Sequence, residues 1–446
     1  MSDEEDSPGT AERVYALLVD DDEDHGRGDL QADIAEAVPG NAGRQVLAMT
    51  LQKAGDLIVD AKTVLSWLLA ALGAPAGLAG LLVPIRESGS MLPQAALVPL
   101  VRRQAVRKWV WVAGALLQAT AVVAMAVIAA TLDGTVAGIA LLVALALFSL
   151  ARSLSSIASK DVLGRTLPKG VRGQITGYAT IGAGVASITV GLGLRIFGGE
   201  EASPSTFAWL LAGAAIAWLL AAAVFSRIEE APGEHDRAGD AEGGGATARA
   251  LGLLRDDQPF RRFVIARTLL LVSALSPPFI VTLATREAGA GLQGLGGFVI
   301  SSGIAALIGG RVWGRLADRS SRKVMMLAAG LSSAVVLGFL AVLLIDGARE
   351  VVLLYPMTYL LLALVHHGSR IGRKTYVVDL AEGNKRTDYV AVSNTAIGVL
   401  LLVTGALTSA IAILGPEAAL AALAALGLAG VAVSGSLPEV SEPTGS

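Results

Sequence analysis

The sequence predicts an all-α membrane protein, with twelve transmembrane helices in two pseudo-symmetric six-helix bundles. Three observations carry this. Of 446 residues, 53% are hydrophobic and 16% charged, where soluble proteins carry roughly 25% charge. The apolar residues come in windows of about 20, the length that crosses a bilayer as a helix. The second half of the chain also repeats the first at an offset of about 214 residues. The absence of cysteine excludes disulfides, thiolate metal centres and cysteine nucleophiles. A net charge of −3 supplies no basic field for nucleic acid.

Taken in order, residues 1–44 read as an acidic cytoplasmic extension with a short helix near 29–37. Residues 2–6 are acidic where a secretory signal is basic. Spans follow at 46–71, 74–100, 109–131, 134–158, 174–196 and 206–226, then at 262–285, 293–313, 324–345, 350–372, 390–413 and 416–436. Val136–Leu150 and Leu327–Ile345 are almost unbroken apolar runs. Pro277-Pro278 predicts a kink in span 7. Trp67, Trp109, Trp111, Trp209, Trp218 and Trp313 lie mostly near span ends and read as interface anchors. The Gly-rich stretch 227–261 reads as a cytoplasmic linker between bundles 45–226 and 262–436, with a tail at 437–446. With the termini inside, cytoplasmic segments hold 27 of the 35 Lys and Arg, and outer loops hold three.

The repeat extends to basic residues within the spans. Lys53 lies over Arg267, Arg152 over His366, and Ser88-Gly89 over Ser302-Gly303. Parallel repeats of this kind place a substrate site near the midplane between them.

The loop after span 8 reads Gly314-Arg315-Leu316-Ala317-Asp318-Arg319-Ser320-Ser321-Arg322-Lys323. It resembles the signature of the major facilitator superfamily, Gly-x-x-x-Asp-Arg-x-x-Arg-Lys. The resemblance implies alternating access, with Asp318 latching the cytoplasmic side at the start of span 5, near Arg172 and Gly173. Gly314, Arg319, Arg322 and Lys323 complete that gate. The first-half copy, 101–108, has Arg102 in place of the acid, so Arg102 is expected to face Asp388 at the start of span 11. Arg152 resembles the span-4 arginine of proton-coupled antiporters, although Ser153-Leu154-Ser155-Ser156 follows it rather than Gln-Gly. Span 5 lacks the antiporter Gly-Pro motif, and its glycines read as close-packing positions.

Each charge at the bilayer centre costs about 2.5–3.5 kcal/mol, so the charges in spans 1 and 2 need a watery cavity or partners. Lys53, Asp56 and Asp60 share one helical face, which pairs Lys53 with Asp56 and sets Asp60 beside them. The candidate substrate and proton pathway is Lys53, Asp56, Asp60, Arg86, Glu87, Arg152, Arg267 and His366. Asp56, Asp60 and Glu87 would carry the proton; Lys53, Arg86 and Arg152 would meet substrate or act as counter-ions. The alternatives are a charge network that only fixes helix packing, or a displaced span 1 whose Lys53 and Lys62 snorkel to an interface. His366 and His367 point to different helix faces; one could relay protons or sit in the core. No Walker loop, His-Glu-x-x-His or Gly-x-Ser-x-Gly occurs.

The expected protein is therefore not an enzyme and needs no cofactor or metal. It is a monomeric secondary transporter in a bacterial inner membrane, moving a small polar solute with protons. A drug or lipid exporter of the same fold and a non-transporting receptor or scaffold are the alternatives.

Overall fold

The computed structural model describes residues 10–18, 32–168, 171–197, 203–232, 252, 254–289, 291–380 and 385–440. Among them all regular structure is helical. Among the described residues, eight helical segments, covering expected spans 3, 4, 5, 6, 7, 9, 11 and 12, are long and apolar enough to cross a membrane. Spans 1, 2, 8 and 10 are helical too, but spans 1 and 2 are broken and basic residues enter the helices of spans 8 and 10.

Span 1 consists of two helices, Ala32–Ile58 and Val64–Ala71. The first begins well before residue 46 and takes up the end of the expected polar extension. The cause is an apolar stripe at i, i+4 and i+8. Ile34, Val38 and Ala42 are buried, and Val38 and Ala42 cluster with Leu167, Val171 and Ile175 at the span 4–5 turn. The break that follows is organised by Asp60. Its Oδ1 accepts the amides of Lys62 and Thr63 and the Thr63 hydroxyl, each at 2.9 Å. These are donors that the start of a helix leaves free.

Span 2 is Ala76–Met91 followed by Gln94–Arg102. Span 7 is broken as Pro277-Pro278 predicts, into Gln258–Leu269, Val272–Leu275 and Pro277–Glu287. Prolines lack the N–H that would continue the helical ladder. The other spans are Lys108–Thr131, Gly134–Thr166, Val171–Phe197 and Pro204–Ser226, then Leu292–Arg319, Ser321–Val342, Leu354–Leu380, Lys385–Ile411 and Pro416–Gly435.

Span 3 packs on spans 4 and 6, and span 1 on spans 5 and 6; span 10 packs on spans 8 and 9, and span 9 on span 12. The two bundles meet through spans 2 and 11 and through spans 5 and 8, pairs that exchange when the repeats are swapped. In the most apolar 18-residue stretch of span 7, 83% of the residues are buried, against 28–50% in the other seven apolar spans, so this stretch has little lipid face. Val136, Ile139, Val143, Leu147 and Leu150 of span 4 are exposed along one stripe, as a lipid-facing helix requires.

The tryptophans correct an expectation. Trp67, Trp111 and Trp218 are fully buried and Trp313 nearly so, whereas Trp109 and Trp209 are exposed. Trp111 stacks on Phe225 at 3.9 Å, and Trp218 meets Phe148 edge-on at 5.2 Å. With only 5% aromatic residues, the large rings go to filling the bundles, where their area counts most.

The first residues of the linker are pinned. The two oxygens of Glu230 accept the amides of Arg107 at 3.0 Å and Lys108 at 2.7 Å, at the N-terminus of span 3. A carboxylate is favoured there by the unpaired N–H groups and the helix dipole. Asn41 exchanges two hydrogen bonds with the Glu229 backbone. Removing the cap with Glu230→Ala should cost about 0.5–2 kcal/mol. This is read as a lower melting temperature in detergent, with a smaller change for Glu229→Ala, whose side chain is 60% exposed.

Candidate functional site

Asp56, in the last turn before the span 1 break, is held from two sides. Arg86 Nη2 of span 2 donates to Oδ1 at 3.1 Å, and Arg152 Nη1 of span 4 lies 2.5 Å from Oδ2. All three side chains are 16–24% exposed. Arg86 also lies over the Phe148 ring, 4.8 Å from its centroid. The expected Lys53–Asp56 pair does not form, because the two planar guanidinium groups occupy both carboxylate oxygens. Lys53 Nζ turns to span 5 and donates to Thr180 Oγ1 at 2.7 Å.

This last contact has a twin. Arg267 Nη2 of span 7 donates to Asn394 Oδ1 of span 11 at 2.9 Å, and Nη1 donates to Ser393 Oγ at 2.9 Å. Lys53–Thr180 and Arg267–Asn394 have the same sequence separation, 127 residues. The repeat seen in the sequence therefore recurs as a contact. The copies have diverged in setting: Lys53 borders the central cavity, whereas Arg267 is 6% exposed and packed inside its own bundle.

Across the bundles, Lys62 Nζ stands 3.1 Å from His366 Nε2, and His366 Nδ1 stands 3.1 Å from Ser273 Oγ. When Lys62 is charged its ammonium can only donate, so Nε2 then accepts and the ring proton sits on Nδ1, facing Ser273. One chain of contacts thus joins the span 1 break to spans 10 and 7. His367 borders the same cavity. Asp60 borders it as well, but its Oδ1 is committed to the span 1 break.

Span 10, expected to end at residue 372, runs on as a helix to Leu380, and Arg370, Arg373 and Lys374 line the cavity wall. Their i, i+3, i+4 spacing directly after an apolar helical window was the available signal.

The cavity has three lobes of about 390, 540 and 350 Å³ that share Asp60, Lys62 and Arg370. The end away from the basic loops is closed. Trp67 meets Phe298 edge-on at 5.5 Å, and a Cβ added to Gly296 of span 8 would stand 2.6 Å from the Gly191 carbonyl oxygen of span 5. Beyond this closure, Arg349 joins Glu417 at 3.0 Å and Glu287 at 3.4 Å. The hydrogen bond to Glu417 raises the Arg349 pKa.

At the basic end, the gate residues divide. Arg322 reaches the C-terminal segment, with Nε 3.3 Å from Glu439 and Nη1 donating to Leu437 O at 3.1 Å. It therefore ties its own bundle together rather than bridging to the other. The Lys323 amide donates to Ser320 Oγ, which caps span 9, and Arg319 is exposed. Arg172 is turned toward the carbonyls of Gly164 and Leu167. The side chains of Arg102, Asp318 and Asp388, and the surroundings of Gly314, lie outside the described residues.

Two helical bundles that enclose a charged cavity and meet through spans 2, 5, 8 and 11 are the architecture of a solute transporter. The sequence model of the Major Facilitator Superfamily matches residues 61–369, more than half of the chain. The chain belongs to that family. A search of curated proteins gives no match. Among solved structures, the nucleoside transporter NupG is similar with a TM-score of 0.70, at 11% identity over 89% of this chain and 99% of that one. A D-xylose–proton symporter is similar at 0.68, with 11% identity over 90% and 98%. A POT family transporter in complex with a peptide conjugate is similar at 0.69, with 11% identity over 88% and 94%. At these identities the likeness is one of fold.

Proposed function

We propose that this protein is a secondary active transporter that moves a small polar solute by alternating access, driven by protons. The observation that carries the reading is Asp56, held by Arg86 and Arg152 where span 1 breaks and the cavity begins. Protonating this carboxylate removes the charge that holds both arginines, and substrate binding competes for the same guanidinium groups. Proton and solute are then linked through one residue. Glu87 borders the same cavity and is a second carrier.

The two moving bodies are residues 45–226 and 262–436, joined by 227–261. The 27-to-3 distribution of basic residues makes the basic end cytoplasmic, so the conformation described is closed to the outside. The setting is a bacterial inner membrane, and the unit is a monomer. A charged cavity favours polar solutes over the lipophilic cargo of a drug exporter.

The test is the protein in liposomes enclosing a pH-sensitive dye, screened with metabolites, drugs and lipids under an imposed proton gradient. The expected result is a solute whose entry moves protons in the same experiment. Solute movement that ignores internal and external pH would remove the proton coupling. Ligand-induced structural change without flux would remove transport itself.

A further inference from the structure

We propose that the transported solute is a small organic anion carrying at least two negative charges; this rests on the transporter reading above. The argument is the charge balance of the cavity. Among the described residues, its walls hold seven Lys and Arg side chains against three carboxylates. Asp56 is shared by Arg86 and Arg152, which leaves Asp60 and Glu87 to balance Lys53, Lys62, Arg370, Arg373 and Lys374.

Among the described residues, no carboxylate lies within ion-pair distance of Arg370, Arg373 or Lys374. The Nε of Arg373 is buried without a hydrogen-bond partner. Arg370 and Lys374 are exposed to the cavity and Arg373 is half-buried; a guanidinium without a protein partner presents a donor fork shaped for a carboxylate or phosphate. The 350 Å³ lobe is lined by Arg370, Arg373 and Lys374 together with the apolar Leu271, Ala274, Ile397 and Leu401. The apolar part of the lining suits a carbon skeleton rather than a bare inorganic ion. The shared chemistry is therefore an organic di- or trianion whose acid groups are carboxylate or phosphate.

The test uses the full chain and named probes. Citrate, glucose 6-phosphate, inorganic phosphate, glucose and lysine are compared at equal ionic strength, first by thermal shift in detergent and then by counterflow in neutral-lipid liposomes. The expected result is stabilisation and counterflow with citrate or glucose 6-phosphate and none with glucose or lysine. Binding should weaken about ten- to a hundredfold in Arg370→Gln and Arg373→Gln, the loss of one charge-assisted hydrogen bond each. Arg227→Gln, exposed at the end of span 6 and outside the cavity, controls for a general change in charge.

Counterflow of glucose or lysine without any anion effect overturns the anion reading and leaves the transporter reading standing. Anion stabilisation that is unchanged in both arginine variants overturns it too, since the site would then be elsewhere. Phosphate acting as well as the organic anions overturns the organic part. Arginine-dependent binding without counterflow supports the anion site and refutes transport. Should either variant fail to fold, Arg370→Lys and Arg373→Lys keep the charge while losing the fork, and an undiminished anion response there argues against bidentate recognition.

Discussion

Asp56→Asn is expected to give a protein that melts well below the parent and no longer drives its solute with a proton gradient. The change alters volume hardly at all, but leaves Arg86 and Arg152 facing a neutral amide. Breaking a fully buried ion pair costs about 3–5 kcal/mol. These side chains keep 16–24% of their exposure, which screens the loss to about 2–4 kcal/mol. Asp60→Asn should melt closer to the parent, because an amide oxygen can still accept the hydrogen bonds from Lys62 and Thr63. The pair is read by melting in detergent and by uptake with and without a proton gradient. An Asp56→Asn protein with parental melting and parental pH dependence would refute both the structural and the coupling role of the clamp.

The second large effect is expected at the closed end of the cavity. Spans 5 and 8 touch there backbone to backbone: a Cβ at Gly296 would sit 2.6 Å from Gly191 O and 2.7 Å from Arg195 N. Backbone cannot swing aside as a flexible side chain can. Gly296→Val should therefore push the bundles apart at this end and disfavour the described conformation by about 1–3 kcal/mol, roughly a 5- to 150-fold shift in population. Gly193→Val on the facing helix is the control, since nothing lies within 4 Å of the Cβ it would add. The chain has no cysteine, so Ser66→Cys, at a position only 1% exposed on the far side of the cavity, supplies a clean reporter. Maleimide should label it faster in the Gly296→Val background and at the parental rate in the Gly193→Val background.

The elements read from hydropathy and repeat were legible because those signals are long. A 20-residue apolar window or a 214-residue offset survives local ambiguity. The limits of the helices were less legible. Span 1 starts at Ala32 because the Val38–Ala42 stripe meets Leu167 and Val171, a tertiary contact that no window along the chain contains. Span 10 continues past residue 372 because its charged turns face a cavity rather than water beyond the membrane. Hydropathy scores both settings alike. Within the site, the residue types were readable and the partners were not. Spacing along one helix suggested Lys53 for Asp56, but the carboxylate chose arginines from two other spans. Asp60 reads in the sequence as a second titrating acid, and the break it caps was not readable beside that, because a helix break has no apolar period to announce it.

The Asp56 clamp also bears on how the chain enters the membrane. Span 1 emerges from the ribosome carrying four charges, and the partners of Asp56 lie 30 and 96 residues further along. At about 5–20 residues per second, Arg86 is made roughly 2–6 s later and Arg152 about 5–20 s later. Through that interval the segment cannot rest stably among lipid tails, and it must wait at the insertion site or in the headgroup layer. Nascent chains stopped before span 4 should therefore leave span 1 accessible from water, and those extended past residue 166 should not. Assembly of this bundle is paced by synthesis of its fourth helix, not of its first.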